Sequence, residues 1–330
     1  INIFVRYCEI ITFVNWFKFI KCISIIFIII PTFNRAHLIG ETLNSILAQT
    51  FLDWECVIVD DGSTDDTEKV VEDFISKDQR FKYYQRPLEH KAGGNGARNY
   101  GLKKAIGAYI VFFDSDDLMT KDHLTIKITE IEKGNYDYII TRTQYFNYTN
   151  EQIDRYYNYG DKKITSYNYI TQKINWLTLD VCIQKDLAKK INFNEELLSG
   201  QEYNYFSKLT TLSVHTKFID KVVSLRRHHE GSIRSQLKTN YNVRESEFKK
   251  YLETYFDIKE SVTKETRDYL LHVCIKIVFR ERKVPGSNTI KMINAVFKEY
   301  GIRGFDFIMM LFFCKYFNKG YYFFRKFEVV

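Results

Sequence analysis

The 330-residue sequence lacks the dense runs of Lys and Arg that characterise nucleic-acid-binding proteins, although its net charge is +7. We therefore predict no nucleic-acid partner, and the mild positive charge suits an anionic substrate or an anionic membrane surface. Proline is scarce, with 3 residues, whereas 45% of the residues are apolar and 27% are charged. That composition excludes a disordered chain, a collagen and a multi-span membrane protein, and it predicts an ordinary globular protein.

No two cysteines form a CxxC pair, and the six are widely spaced. A disulfide framework or a zinc site is therefore not expected, and reduced thiols in a cytoplasmic protein are the better interpretation. The cysteines are Cys8, Cys22, Cys56, Cys182, Cys274 and Cys314.

The sequence also lacks an uninterrupted apolar run long enough to cross a membrane. Residues 10–30 are mostly apolar but contain Asn15, Lys18 and Lys21, and one lysine near the centre of a span costs ~2.5 kcal/mol or more. No small-residue cleavage site follows, so a secretory signal peptide is not supported. We interpret residues 1–22 as an apolar and basic lead-in, followed by a buried strand, Ile23–Ile30, that ends at Pro31.

The first ~130 residues alternate strand and helix patterns, which is typical of β-α-β units in an α/β protein with a parallel sheet. Polar clusters follow the first, second and fourth predicted strands, and in such a sheet these strand ends form the ligand crevice. After residue ~220 the pattern becomes helical and basic. The predicted strands are Ile23–Ile30, Trp54–Val59, Phe81–Gln85 and Tyr109–Phe113.

The strongest candidate for chemistry is Asp114-Ser115-Asp116-Asp117, directly after an apolar strand. Carboxylates two residues apart can enter one crevice and share Mg²⁺ or Mn²⁺ with phosphate oxygens of a substrate. The alternative is an acidic turn in which Asp116 or Asp117 caps a helix at Leu118–Ile131.

Asp60-Asp61-Gly62-Ser63 ends the second predicted strand. Its carboxylates are suited to accept hydrogen bonds from a nucleobase or a ribose, although helix capping explains Ser63 and part of Asp61 equally well.

Gly93–Asn99 is a glycine-rich loop before a helix, and it lacks the Lys-Ser/Thr pair of a P-loop. It is either a flexible loop that brings Arg98 near a phosphate or a plain turn.

Two later motifs are candidates for a proton acceptor and a metal ligand. Glu202 begins a predicted helix, where it either stabilises the helix dipole or removes a proton from an attacking hydroxyl. His229 belongs to a polar loop, Arg226–Ser232, that supplies a metal or phosphate ligand or is simply solvated.

The C-terminal stretch Gly304–Val330 is rich in aromatic residues and lysines but too short and interrupted to span a bilayer. It is either a helix at a membrane interface or a helix packed on its own domain.

Taken in order, four segments of the chain resemble the inverting family 2 glycosyltransferases of GT-A fold. The resemblance covers roughly residues 23–235 and continues weakly through Gly200-Gln201-Glu202. The segments are Ile28–Arg35, Val57–Asp65, Ala97–Asn99 and Phe113–Asp117.

The resemblance implies a Rossmann-like, mostly parallel sheet with flanking helices, and inverting sugar transfer from a nucleotide-diphospho-sugar with Mg²⁺ or Mn²⁺. We expect transfer of a single sugar, because the Gln-x-x-Arg-Trp motif of processive family members is absent. It implies Glu202 as catalytic base and Asp116 as metal ligand, to which we add His229 as a candidate. Glu202 departs from the family, which usually has an acidic pair ending in Asp where this chain has Gln201-Glu202. The residues expected to bind the nucleotide-sugar are Thr32, Asn34, Arg35, Asp60, Asp61, Arg98, Asp114 and Ser115.

These features predict a GT-A domain at 23–235 and a helical, basic, aromatic region at 236–330. The expected acceptor is a hydroxyl of a glycan or a lipid-linked sugar in bacterial surface polysaccharide assembly. The expected location is the cytoplasm, with contact of the C-terminal region to the inner face of the membrane. Two rival functions remain open: a nucleotidyltransferase that makes a sugar nucleotide, and a catalytically degenerate protein that only binds one.

Overall fold

The computed structural model describes residues 26–148, 153–157, 159–228 and 240–328, with side chains described from residue 243 in the last range. The predicted lead-in at 1–22 lies outside these residues. The chain forms two compact units. Within the described residues the first comprises 26–144, 178–190 and 217–226, and the second comprises the remaining segments. The predicted domain boundaries at residues 22 and 235 stay predictions.

The first unit is built on one mixed sheet. Its described strands are β1 (Ile26–Thr32), β2 (Trp54–Asp60), β3 (Phe81–Gln85), β4 (Tyr109–Phe112), β5 (Leu118–Met119), β6 (Tyr138–Tyr145), β7 (Val181–Gln184) and β8 (Thr216–Arg226). They are arranged in the order β3-β2-β1-β4-β7-β6-β8-β5.

The parallel half of the sheet, β3-β2-β1-β4, confirms the strands predicted from the apolar runs. Residues Ile26–Ile30 of β1 are fully buried, as expected for a strand covered on both faces. Helices α1 (Ile39–Leu47), α2 (Thr67–Lys77) and α3 (Gly94–Lys104) connect these strands. Helix α3 packs directly on β1 because Gly101 has no side chain: a Cβ there would lie 2.5 Å from Cγ2 of Ile29.

The other half of the sheet is antiparallel, with β7 between β4 and β6 and with β5 paired to β8. Helices α4 (His123–Gly134) and α6 (Lys185–Ala188) belong to this part. Lys127 on α4 is fully buried, and its Nζ donates a 2.6 Å hydrogen bond to the carbonyl of Leu179. A mixed sheet with flanking helices therefore confirms the predicted α/β class, with half of its strands in an antiparallel arrangement that the sequence pattern did not predict.

Strands β2 and β4 each end within one residue of the predicted position, whereas two other boundaries differ more. Strand β1 continues through Pro31 to Thr32, because its pairing with β4 ends at Ile29 and Pro31 lies where one side of the strand is no longer paired. The predicted helix Leu118–Ile131 begins only at His123, since Leu118 and Met119 form β5. The interpretation of Asp116 or Asp117 as the cap of that helix is therefore wrong.

The second unit is helical, which confirms the pattern predicted for the C-terminal region. Its described helices are α5 (Ser166–Ile170), α7 (Gln201–Leu212), α8 (Asn240–Ile258), α9 (Lys264–Glu281), α10 (Thr289–Tyr300), α11 (Gly304–Phe317) and α12 (Tyr321–Phe324). The core of this unit is formed where α8 packs against α7 and α9, and where α11 packs against α9, α10 and α12. None of the helices in the described ranges is long and apolar enough to cross a membrane.

Candidate functional site

Asn34 joins the loops that follow β1 and β2. Its backbone N–H donates to Oγ of Ser63 at 2.8 Å, and its side-chain Oδ1 accepts from the N–H of Thr64 at 2.8 Å. The φ of Asn34 is 51°, in the left-handed region, which asparagine tolerates better than most residues. Asn34 therefore fixes the turn that presents its neighbour Arg35.

Asp60 is fully buried at the end of β2, and both of its carboxylate oxygens are used inside the turn. Oδ1 accepts from the N–H groups of Gly62 and Ser63 at 2.9 and 2.7 Å, and Oδ2 accepts from the Tyr83 hydroxyl at 2.6 Å. Burial and the hydrogen bond to Asp60 raise the pKa of Tyr83, so this hydroxyl stays a donor. Asp60 thus shapes the turn that carries Asp61.

Asp61 connects β2 to the glycine-rich segment before α3. Its Oδ1 accepts from Nε of Arg86, and its Oδ2 accepts from the N–H of Gly93 at 2.6 Å. Arg86 also donates to the carbonyl of His90. Arg86 was missed in the sequence; the available signal was a cation directly after β3, at the same sheet edge as Asp61.

The glycine-rich segment approaches its own preceding loop closely. A Cβ on Gly96 would lie 2.1 Å from the carbonyl oxygen of Lys91, and Gly93 has a φ of 122°. Side chains are therefore excluded at Gly96 by contact and disfavoured at Gly93 by backbone conformation. Helix α3 begins within this segment, at Gly94, so Gly94–Asn99 is helical rather than the predicted loop, and the helix carries Arg98.

Two arginine–carboxylate pairs lie at the carboxyl ends of β1 and β4. Arg98 Nη2 donates to Asp114 Oδ1 at 2.7 Å, and Arg35 Nε lies 3.5 Å from Asp116 Oδ2. Ser115, between the two carboxylates, is buried. The structure therefore brings Arg35 and the acidic segment after β4 together, as their places at one edge of the sheet predicted, and it adds Arg98 from the start of α3.

Thr32 lies on the last position of β1, next to this edge, and is 3% exposed. Its Oγ1 has no hydrogen-bond partner among the described residues. A buried hydroxyl without a partner is unusual, because leaving it unsatisfied costs about 1–3 kcal/mol. It is a buried polar atom at the strand end that the described residues leave unsatisfied.

The donor set at this edge fits a hard divalent cation only in part. The described residues contain no group of three or more His, Cys, Asp or Glu placed to hold a metal. A cation bound with a nucleotide needs fewer protein ligands, since Mg²⁺ commonly takes one or two carboxylates plus phosphate oxygens. Asp116 is suited to be one of these few carboxylate ligands. Its side chain is 19% exposed, and its carboxylate is paired with Arg35.

Two candidates remain, Glu202 and His229. Glu202 is in the first turn of α7, in the second unit, after Gly200 in a left-handed conformation with φ 71°. Its side chain is partly exposed. His229 lies outside the described residues, whereas the ring of its neighbour His228 stacks on Tyr148 with centroids 4.1 Å apart.

Comparison with known sequences gives a match between the model of Glycosyl transferase family 2 and residues 27–190. An uncharacterized glycosyltransferase of Rickettsia felis is 39% identical over 127 residues, which are 38% of this chain and 20% of that protein. WfgD of Escherichia coli, a UDP-Glc:alpha-D-GlcNAc-diphosphoundecaprenol beta-1,3-glucosyltransferase, is 32% identical over 166 residues, 50% of this chain and 62% of its own. The chain thus spans a fifth of the length of the first relative and under two thirds of the second.

Among solved structures, residues 1–349 of Staphylococcus aureus TarS in complex with UDP-GlcNAc align with a TM-score of 0.65 at 23% identity. The alignment covers 92% of this chain and 90% of that one. At this identity the likeness shows the fold, and it confirms the GT-A arrangement predicted from the sequence.

Proposed function

Because the chain belongs to glycosyl transferase family 2 through residues 27–190, we propose that it transfers a single sugar from a nucleotide-diphospho-sugar to a hydroxyl group. The observation that carries the proposal is the pairing of Arg98 with Asp114 and of Arg35 with Asp116 at one sheet edge, inside the matched residues. These groups offer cations to a diphosphate and carboxylates to hydroxyls or a metal ion.

In this proposal the donor lies across the carboxyl ends of β1, β2 and β4. Arg35 and Arg98 face the diphosphate, because guanidinium groups bind phosphate oxygens through several N–H donors. The turn held by Asn34 and Asp60 presents Asp61 to the nucleobase. The other groups of the donor site are Thr32, Asp114 and Ser115, which face the ribose and the sugar.

Asp116, with His229 as a further candidate, is the proposed ligand for Mg²⁺ or Mn²⁺. When bound, such an ion neutralises negative charge on the diphosphate. Arg35 and Arg98 have a similar effect in this proposal. They hold the diphosphate in place and stabilise the negative charge that it gains when it leaves.

Glu202 is the proposed general base. Its carboxylate accepts the proton of the acceptor hydroxyl while the hydroxyl oxygen forms a bond to the anomeric carbon, and the nucleoside diphosphate leaves with the electrons of the broken C–O bond. One displacement of this kind inverts the anomeric centre.

The proposed acceptor is a glycan or lipid-linked sugar used in bacterial surface polysaccharide assembly. Support comes from WfgD, whose name specifies a sugar-diphosphoundecaprenol acceptor and a UDP-Glc donor. TarS, which has the same fold, is in complex with UDP-GlcNAc. We place the enzyme in the cytoplasm, at the inner face of the cell membrane, where a lipid-linked acceptor would be reached.

The test first measures how much each member of a panel of nucleotide sugars raises the Tm of the protein, with and without Mn²⁺. Stabilising donors are then incubated with lipid-linked acceptors, and the anomeric configuration of the product is determined by NMR. We expect transfer with inversion. Binding without transfer would favour the degenerate sugar-nucleotide-binding protein, and release of pyrophosphate from a nucleoside triphosphate and a sugar phosphate would favour the nucleotidyltransferase.

A further inference from the structure

Helix α11 is apolar on all sides, although it lies at the surface of the second unit. One face is buried against the unit through Phe307, Met310 and Cys314. A helix that is apolar all round is normally covered on all sides, by protein core or by lipid. None of the described residues covers the exposed side of α11, although its sequence is that of a covered helix.

Five exposed apolar residues of α11 recur every three or four positions and form one stripe along the helix, and Phe317 is also exposed at the end of the helix. We call this stripe the outer face. Among its members Phe305 is 61% exposed and Tyr316 is 62% exposed. The outer face consists of Phe305, Ile308, Met309, Phe312 and Tyr316.

Aromatic residues of the adjoining helix enlarge this surface. Tyr321 and Tyr322 on α12 are 56% and 71% exposed, and Phe323 of the same helix stacks on Phe313 of α11 with centroids 5.3 Å apart. Contiguous exposed apolar surface of this kind marks a binding surface for a protein or a membrane.

The charges beside the outer face are mostly positive. Arg303, Lys315, Lys319 and Arg325 are exposed. In the described residues 301–328 the acidic side chains are Asp306, which accepts a 2.5 Å hydrogen bond from Lys326, and the exposed Glu328.

A cavity of about 610 Å³ opens at the carboxyl-terminal ends of α9 and α11. Its lining combines rings with cations: Phe279, Phe313, Tyr321, Arg280, Arg282 and Lys319. Apolar walls with basic side chains suit an acyl chain joined to a phosphate group.

We propose that the outer face docks on an anionic phospholipid bilayer, with α11 in the plane of the interface, its rings among the headgroups and its cations on lipid phosphates. Helix α11 has 14 residues and is about 21 Å long, too short for a bilayer core of about 30 Å. A second copy of the chain is a poorer occupant, because a two-fold interface would bring this cationic surface against itself. The inference deepens the proposed function and rests on it for the use of a lipid-linked acceptor.

The experiment measures sedimentation of the full chain with vesicles, in the absence of donor and acceptor. We expect binding to phosphatidylcholine vesicles that contain phosphatidylglycerol and little binding to phosphatidylcholine alone. The double variant Phe305→Glu/Phe312→Glu should bind about tenfold more weakly or worse, because it removes apolar insertion and adds repulsion from the lipid phosphates.

The matched control is Ile290→Glu/Leu212→Glu, which makes the same change in charge at positions of the second unit that are 76% and 45% exposed. It should bind vesicles nearly as well as the parent protein. All four substitutions are at exposed positions, and circular dichroism checks that each variant is folded. Lys315→Gln/Lys319→Gln should reduce the preference for anionic over neutral vesicles.

A second measurement detects insertion directly. In Phe312→Trp the added indole should be quenched by brominated acyl chains, whereas in the control Ile290→Trp it should not. Both variants also carry Trp16→Phe, because Trp16 lies outside the described residues. The other two native tryptophans, Trp54 and Trp176, are 1% and 0% exposed, so they contribute little to the quenching.

Equal vesicle binding by Phe305→Glu/Phe312→Glu and the parent would overturn the proposal. A second result would also overturn it: the parent protein is a dimer, and the substitutions convert it to monomers without any change in vesicle binding. In that case a second copy of the chain occupies the outer face. Sugar transfer to a soluble acceptor should be unaffected by the outer-face substitutions, so loss of membrane binding and absence of transfer activity are separate results.

Discussion

The backbone N–H of Gly93 donates a 2.6 Å hydrogen bond to Oδ2 of Asp61, so the end of β2 is joined directly to the segment that begins α3. The same carboxylate accepts from Arg86. One side chain thus holds three parts of the proposed donor site in place: the turn after β2, the cation after β3 and the helix that carries Arg98.

Asp61→Asn should weaken donor binding more than it slows the transfer step. The amide has one oxygen and no charge, so it cannot replace both contacts, and we expect the KM for donor to rise about tenfold while kcat changes less. Asp78→Asn is the matched control, because Asp78 forms an ion pair with Arg80 before β3, at the opposite end of that strand. An unchanged KM in Asp61→Asn would exclude this role for the contact.

Asp116→Asn should abolish the part of donor-induced thermal stabilisation that depends on Mn²⁺. The reason is that an amide is a much weaker ligand for a hard cation than a carboxylate. The readout is the shift in Tm with UDP-sugar, with and without the metal. Asp122→Asn, which removes an exposed partner of Lys221, is the control. Full metal-dependent stabilisation in Asp116→Asn would remove Asp116 from the proposed metal site.

Glu202→Gln should lower kcat by about 10²–10⁴ and leave donor affinity unchanged, because the amide cannot accept the proton of the acceptor. Single-turnover transfer measures the chemical step, and donor-induced Tm shifts measure binding. Glu247→Gln, at an exposed position on α8, should behave like the parent. Native kcat in Glu202→Gln would show that another group removes the proton.

Gly101→Ala should destabilise the protein by about 1–3 kcal/mol, since the added methyl group would overlap Cγ2 of Ile29 and push α3 away from β1. Gly40→Ala is the control in another helix of the same unit. At Gly40 the atom nearest to an added Cβ would be 3.9 Å away, so alanine fits. It should raise the free energy of unfolding by up to about 1 kcal/mol, because alanine has a higher helix propensity than glycine. Denaturant unfolding measures both changes, and equal effects would rule out the steric explanation.

Acid should destabilise the protein through His123. Burial and the nearby positive charge of Lys127 hold the pKa of His123 well below its ordinary value near 6.5, while one ring nitrogen bonds to the Val223 carbonyl at 3.0 Å. Below about pH 6.5 the unfolded state therefore binds more protons than the folded state, and this group lowers the free energy of unfolding by up to about 1.4 kcal/mol per pH unit.

The corresponding measurement is urea unfolding across the range from pH 7 to more acidic values. His123→Gln should be less stable than the parent at neutral pH but lose less stability on acidification. His37→Gln, at an exposed position, should keep the pH dependence of the parent. If His123→Gln and the parent show the same slope, the buried imidazole does not cause the acid sensitivity.

The parallel half of the sheet was predictable because its signals are local. Long apolar runs mark β1 and β2, and the polar clusters that follow them lie in the same short segments. The antiparallel half has weaker signals: β5 has two residues, and its partner in β8 is about a hundred residues away, as in the pairing of Leu118 with Leu225. Short strands that pair over such a distance show no periodicity of their own.

The candidate site divides in the same way. The proximity of Arg35, Asp114 and Asp116 was predicted because they follow strands of one parallel sheet. The contact of Arg86 with Asp61 was not predicted, because two residues that are 25 positions apart give no sequence pattern that indicates an ion pair. The internal use of both Asp60 oxygens was equally hidden, because Gly62 indicates a turn but does not identify the hydrogen bonds that hold it.

The first unit is assembled from segments that the ribosome makes at different times. The chain passes between the two units at residues 144, 177, 190, 216 and 226. Strand β4 is complete at residue 112, but the strand that covers its open edge, β7, ends only at residue 184. During translation the nascent chain therefore presents an unpaired edge of a buried sheet for some seventy residues of synthesis. During that interval the unpaired edge of β4 is most able to pair with other chains, and a chaperone that covers this edge would have its largest effect.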